Sequence, residues 1–119
     1  MSKRDNLLLL EDMLEAASKI QLYTKDYTFE TFIKDDKTID AVVRNFSVIG
    51  EAANRIQPEY QSQYPEISWS RIRGFRNRVV HEYFGIDYKI IWSIIKSDLP
   101  TLVLKIRDII DRLNSQTPL

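Results

Sequence analysis

Leu7, Leu10, Met13, Leu14, Ala17 and Ile20 recur at three- and four-residue intervals. That spacing lines one face of a helix and predicts helix from about Asp5 to Tyr23. Leu8 and Leu9 widen the apolar stripe, which predicts burial on two sides. A short helical piece follows at Thr28–Ile33, with Thr28 in the N-cap position. The clearest pattern runs from about Asp36 to Gln57. There Ile39, Val42, Val43, Phe46, Ile49, Ala53 and Ile56 form an unbroken stripe, and Pro58 stops the helix. Gly50 sits inside it at a cost of about 1 kcal/mol relative to Ala, which predicts close approach by a second helix.

Pro58–Ser68, rich in Gln, Ser and Pro, reads as the one real loop. Ser68 then caps a helix carrying Trp69, Ile72, Phe75, Val79, Val80 and Tyr83, which ends at Gly85 in a left-handed cap. Asp87 caps a last long segment with Ile90, Ile91, Ile94, Ile95, Leu102, Val103, Ile106, Ile109, Ile110 and Leu113. Pro100 predicts a kink or split there, with Asp98 as a fresh cap. Residues from about 114 to 119 are expected to fray. The expectation is all-α: an up-and-down bundle of four main helices plus a short one, the last kinked near Pro100, in a single domain over residues 1–119.

Composition narrows the chemistry. Gly and Pro number only 3 and 4 in 119 residues, about half their usual share, which suits long helices and not a strand-rich sandwich. Lys plus Arg and Asp plus Glu are 17 each, so bulk charge cannot drive polyanion binding, although a local patch can. With no Cys, disulfides, thiolate catalysis and thiolate metal sites drop out; a single His removes poly-His centres. No cofactor and no resident metal are expected. No apolar run approaches the roughly 18 residues that span a bilayer, and Met1-Ser2-Lys3-Arg4 leads straight into an amphipathic pattern. A cytoplasmic protein without membrane contact is the expectation.

Three scattered glycines, Gly50, Gly74 and Gly85, cannot build a phosphate loop, and no Ser stands in a nucleophile elbow. Asp35-Asp36 and Glu11-Asp12 read as caps and solvated faces. One segment differs. From Ser68 to His81 the chain holds Arg71, Arg73, Arg76 and Arg78 and no acid. Arg suits bidentate phosphate contacts, so Arg71, Arg73 and Arg78 are candidate RNA-binding residues. In a chain of zero net charge the cluster must be balanced from elsewhere. The only His lies in the same predicted helix, with Asn77 one turn before it. Arg76 and His81 would stand about 140° apart on an ideal helix, so only the length of Arg lets both reach one substrate. Taken on spacing alone, a lone His near a helix end is more often a dipole-complementing surface residue. An Arg cluster is more often a solvated or subunit-facing surface, and Tyr83 a packing aromatic.

Arg76-Asn77-Arg78-Val79-Val80-His81-Glu82-Tyr83 resembles the signature of the HEPN superfamily, an Arg followed after four to six residues by His. Four intervening residues and a Tyr two after the His resemble the HepT branch. Flanking stretches are similar too: Asp35–Val42, Ile49-Gly50-Glu51-Ala52-Ala53, the region through Trp69, and Asp98-Leu99-Pro100. The resemblance implies a HEPN-type bundle that dimerises through the motif-bearing region. It implies a metal-independent ribonuclease toxin with Arg76, Asn77 and His81 as catalytic residues and RNA, tRNA among the candidates, as substrate. It also implies an MNT-type nucleotidyltransferase antitoxin that adenylylates Tyr83, in a prokaryotic type VII-like toxin–antitoxin system. One His per chain leaves a second proton role open, which a two-fold dimer would fill. Two rivals remain: a non-catalytic HEPN module that binds a minimal nucleotidyltransferase or nucleotide, and a structural dimer with a surface Arg cluster.

Overall fold

The computed structural model describes residues 3–81 and 85–115, and within them all side chains but those of Lys3, Arg76, Val80, His81 and Ile86. Helix α1 spans Lys3–Thr24, and Met13, Ala17 and Ile20 on its predicted stripe are fully buried. Leu9 is buried as well, but Leu8 is 47% exposed. The two-sided burial expected of this helix is therefore incomplete: among the described residues its main packing is against two long helices, and Leu8 stays half exposed.

Helix α2, Phe29–Phe32, starts from a reciprocal cap. Thr28 Oγ1 accepts from the Thr31 N–H at 3.2 Å, and Thr31 Oγ1 accepts from the Thr28 N–H at 2.9 Å. Helix α3 spans Asp36–Arg55, and its N-cap Asp35 accepts from the Thr38 N–H at 3.1 Å. The other carboxylate oxygen accepts from the Tyr27 hydroxyl. These bonds, the Tyr27 hydroxyl first, hold Asp35 below the ordinary carboxylate range, because they favour its charged form.

Pro58 ends α3 as expected but also begins α4, Pro58–Gln63, where a loop was predicted. A proline at the first helical position forfeits no hydrogen bond, so the residue that stops one helix starts the next. Helices α5, Trp69–Arg73, and α6, Phe75–Val79, follow, divided at Gly74. Ser68 stands at the N-cap of α5, yet its side chain makes no capping bond. The predicted run to Gly85 does not form. After Val79 the chain extends as β1, Val80–His81, paired antiparallel with β2, Gly85–Ile86. The β-branched pair Val79-Val80 favours extension, and the Asp87 N–H closes the reversal on the Val79 carbonyl at 3.0 Å. Gly85 does adopt the left-handed conformation expected of it, φ +80°, but in this reversal and not as a helix cap.

Asp87 caps α7, Tyr88–Ser93, accepting from the Ile90 N–H at 3.1 Å. A π-helical turn, Ile94–Asp98, then leads into α8, Leu99–Ser115. The irregularity foreseen near Pro100 takes this form. A proline ring clashes with the carbonyl four residues back, and a widened turn there relieves the clash without splitting the helix. Asp98 is not a fresh cap; its carboxylate is engaged elsewhere. Residues 116–119, part of the tail expected to fray, lie outside the described residues.

The result is an all-α bundle in which α1 packs on α3 and α8, and α3 carries α5 and α6 on its other side. A Cβ added to Gly50 would stand 3.5 and 3.6 Å from the carbonyl oxygens of Arg73 and Ile72. The close approach is real, but a methyl still fits at ordinary contact. Gly50→Ala should therefore hold or gain stability, by up to about 1 kcal/mol from helix propensity. Gly50→Leu should lose stability in the same denaturant titration, because no room remains for a longer side chain.

Tyr27→Phe gives a second check. A depressed carboxylate pKa contributes stability above the unfolded value and loses it as pH falls through the folded value. The melting midpoint of Tyr27→Phe should lie below wild type at pH 7. The two should converge as the pH is taken below about 4.

Candidate functional site

The segment α5–Gly74–α6 is amphipathic by construction. Ile72, Phe75 and Val79 are buried, and the Phe75 ring meets Phe46 of α3 edge-on, with centroids 5.4 Å apart at 80°. Trp69 seals the entry: its Nε1–H donates to the carbonyls of Gln61 and Tyr64, both at 3.1 Å. Arg71, Arg73 and Asn77 occupy the exposed side.

The arginines do not stand free. Arg71 donates from Nε to Asp98 Oδ2 at 2.5 Å and from Nη2 to Oδ1 at 3.3 Å, a two-point fork on one carboxylate. Arg78 Nη1 lies 3.6 Å from the same Oδ2. Arg73 Nη1 donates to Gln61 Oε1 at 2.8 Å, while Gln61 Nε2 donates to the carbonyls of Ala53 and Ile56. The acid missing from the Arg-rich stretch is thus supplied from the π-turn. Asp98 also raises the Arg71 pKa, chiefly by accepting its hydrogen bond, so that guanidinium is cationic at every relevant pH. Asp98 and Gln61 were not singled out as site residues from sequence. Only the demand for charge balance hinted that some acid had to arrive there.

Of the catalytic candidates, Arg76 and Asn77 are neighbours on α6, and His81 lies on β1. The expected helical register between Asn77 and His81, and the 140° argument with it, therefore does not apply: the helix ends at Val79. The side chains of Arg76 and His81, and Tyr83 altogether, lie outside the described residues. A cavity of about 230 Å³ runs along the seam between α5 and the π-turn, with Ile72, Phe75 and Leu102 below and Arg71, Asp98 and Lys105 at its edge. It is smaller than the roughly 300 Å³ at which small-molecule sites begin. Among the described residues no cluster of three or more His, Asp or Glu side chains could hold a metal ion. No helix among them is long and apolar enough to cross a membrane.

Residues 13–109 match the family model described as ribonuclease HepT-like. A protein of Methanocaldococcus jannaschii, named provisionally as an RNase, is 37% identical over 116 residues, 98% of this chain and 96% of that protein. A protein of Thermococcus cleftensis, named provisionally as a ribonuclease HepT, is 38% identical over 100 residues, 84% of this chain and 91% of that protein. One from Caldanaerobacter subterraneus, also named provisionally as an RNase, is 33% identical over 103 residues, 87% of this chain and 92% of that protein. No solved structure matches.

Burial separates structural from chemical roles within α6. Phe75→Ala should cost about 3–5 kcal/mol in denaturant unfolding, since the ring is wholly enclosed. Asn77→Ala, on the exposed side, should stay within about 0.5 kcal/mol of wild type. Any loss of activity in Asn77→Ala then reads chemistry and not folding.

Proposed function

The chain belongs to the ribonuclease HepT-like family, and from that premise we propose that it is a metal-independent endoribonuclease toxin. It acts in a type VII-like HEPN/MNT toxin–antitoxin pair and is silenced when its nucleotidyltransferase antitoxin adenylylates Tyr83. The observation that carries this reading is the run Arg76-Asn77-Arg78-Val79-Val80-His81-Glu82-Tyr83 inside the matched span. Charge supports it. Among the described residues Arg71 and Arg78 share one carboxylate, Asp98, and Arg73 meets the neutral amide of Gln61, so the outer side of the segment keeps a positive surplus for a phosphodiester chain.

Cutting RNA with side chains alone needs a base, an acid and a cation. The base takes the ribose 2′-hydroxyl proton, and the 2′-oxygen attacks phosphorus. The 5′-oxygen leaves with a proton from the acid, giving a 2′,3′-cyclic phosphate and a 5′-hydroxyl. An imidazole suits proton transfer near neutrality, since its unperturbed pKa is about 6.5, and His81 fills one of the two proton roles. In a two-fold dimer the partner's His81 fills the other. Arg76 holds the charged phosphorane oxygens, and Asn77 orients His81 or the phosphate. Purified protein should cleave RNA in the presence of EDTA and leave a cyclic phosphate end. Arg76→Ala and His81→Ala should each lower the rate by about 10²–10⁴-fold. Full activity of His81→Ala, or complete inhibition by EDTA, would sink this mechanism.

Control follows from Tyr83. Its hydroxyl displaces pyrophosphate from the α-phosphate of ATP when a nucleotidyltransferase binds both, and each AMP adds about one negative charge. Tyr83 follows Arg78 by five positions in the sequence, and an added phosphate would compete with the RNA backbone for the guanidinium groups of that segment, while the adenosine adds bulk. Intact-mass measurement after co-expression with the cognate partner should show whole AMP additions that map to Tyr83. Tyr83→Phe should gain none and stay toxic. A silenced, unmodified wild-type chain would instead favour inhibition by binding alone.

A further inference from the structure

Helices α5 and α6 have five residues each, well short of the roughly 12–15 at which a helix begins to hold itself in water. They are divided at Gly74, so the angle between them must be fixed from outside. Ile72, Phe75 and Val79 anchor the pair to the core. Those anchors lie on one side and leave the opposite side to polar contacts. Asp98 meets both halves of the elbow there, taking Arg71 three residues before Gly74 and Arg78 four residues after it. It is a sheltered acid, its side chain 17% exposed, whereas the Arg71 side chain is half exposed. Arg78 Nη1 is buried without a hydrogen-bond partner among the described residues, so Asp98 is the charge that compensates it there. The acid comes from the last position of the π-turn, the irregular turn that accommodates Pro100. Such turns occur often at functional sites.

We propose that Asp98 is a positioning residue that clamps the α5–α6 elbow through Arg71 and Arg78, and thereby sets where Arg76 and Asn77 stand for RNA cleavage. Arg76 and Asn77 lie between the hinge at Gly74 and the anchor at Arg78, so a change of elbow angle moves both. Asp98 touches no substrate. Its effect is geometric, and a displacement near 1 Å in a reacting group can cost about a hundredfold in rate. The proposal rests on the ribonuclease reading above, and it competes with a simpler one. Asp98 could serve only to mask arginines that would otherwise bind RNA.

Steady-state RNA cleavage by Asp98→Asn separates the two. A clamp predicts kcat lowered at least tenfold with KM within about threefold, and partial recovery in Asp98→Glu, which keeps the charge. Combining Asp98→Asn with Arg78→Gln should lower kcat little further than Asp98→Asn alone, because Asp98→Asn already breaks the Arg78 contact. Unchanged kcat with a lower KM would establish masking and overturn the clamp, as would additive losses in the double variant. Should Asp98→Asn not fold, Arg71→Lys, which keeps the cation but gives up the two-point fork on Asp98, carries the kcat comparison. An activity-free readout keeps the two readings apart: amide NMR shifts of Arg76 and Asn77 should move in Asp98→Asn while those of α1 stay. If wild type cuts no RNA, the function fails and these shifts still judge the clamp; if they do not move, the clamp fails by itself.

Discussion

The motif-bearing helix hangs on the contact of Phe75 with Phe46. An edge-on aromatic pair adds about 0.5–1.5 kcal/mol beyond the burial of its area. More to the point, it attaches a segment that has no autonomous stability to one that has. Helix α3 earns its place through twenty residues of matched periodicity and a charged N-cap, and α1 and α8 complete the platform. Helices α5 and α6 are then ordered by what they rest on. Their backbone approaches α3 at Gly50, where a missing side chain lets the carbonyls of Ile72 and Arg73 come close. Order in this protein runs from long elements to short ones, and the candidate chemistry sits on the short ones.

Around that apolar seat lies a ring of polar ties, some local in sequence and some between distant positions. Lys105 donates to the Glu66 carbonyl at 2.6 Å, Arg112 meets the Glu66 carboxylate at 3.1 Å, and the same guanidinium covers the Tyr64 ring. Gln61 links Arg73 to the end of α3, and Trp69 bridges back to Gln61 and Tyr64. The exposed ties among them, those of Lys105, Arg112 and Arg73, each contribute little to stability. Their common feature is location: every one touches the approach to α5 or α5 itself. They restrict direction more than they add free energy.

Periodicity made α1, α3 and α8 legible, because their buried residues follow a helical stripe that any amphipathic helix must show. Thr28, Asp35-Asp36 and Asp87 were legible as caps for an equally local reason. What escaped was set by tertiary contact or by competing local preferences. The Gln-rich stretch after Pro58 lacks an apolar stripe, and α4 buries none of its residues, so nothing in the pattern announced it. Val79 and Val80 continue an apolar run that looks helical, yet their branching and the reversal closed by Asp87 favour extension. The identities of Arg76, Asn77 and His81 as candidates came from a motif. The partnership of Arg71 and Arg78 with Asp98 spans 27 and 20 positions, and no local rule could have supplied it. Charge balance said only that an acid was owed.

That separation also has a consequence in time. A chain is synthesised from its N-terminus, and local elements form before contacts between distant positions can close. Residues 69–81 therefore emerge, and can begin to coil, before Asp98, Lys105 and Arg112 exist to brace them. Folding of the elbow is gated by the final helix, so its geometry is a property of the finished chain. A product truncated by premature termination before the π-turn would carry every residue of the Arg-to-His motif and none of the carboxylate that holds its elbow.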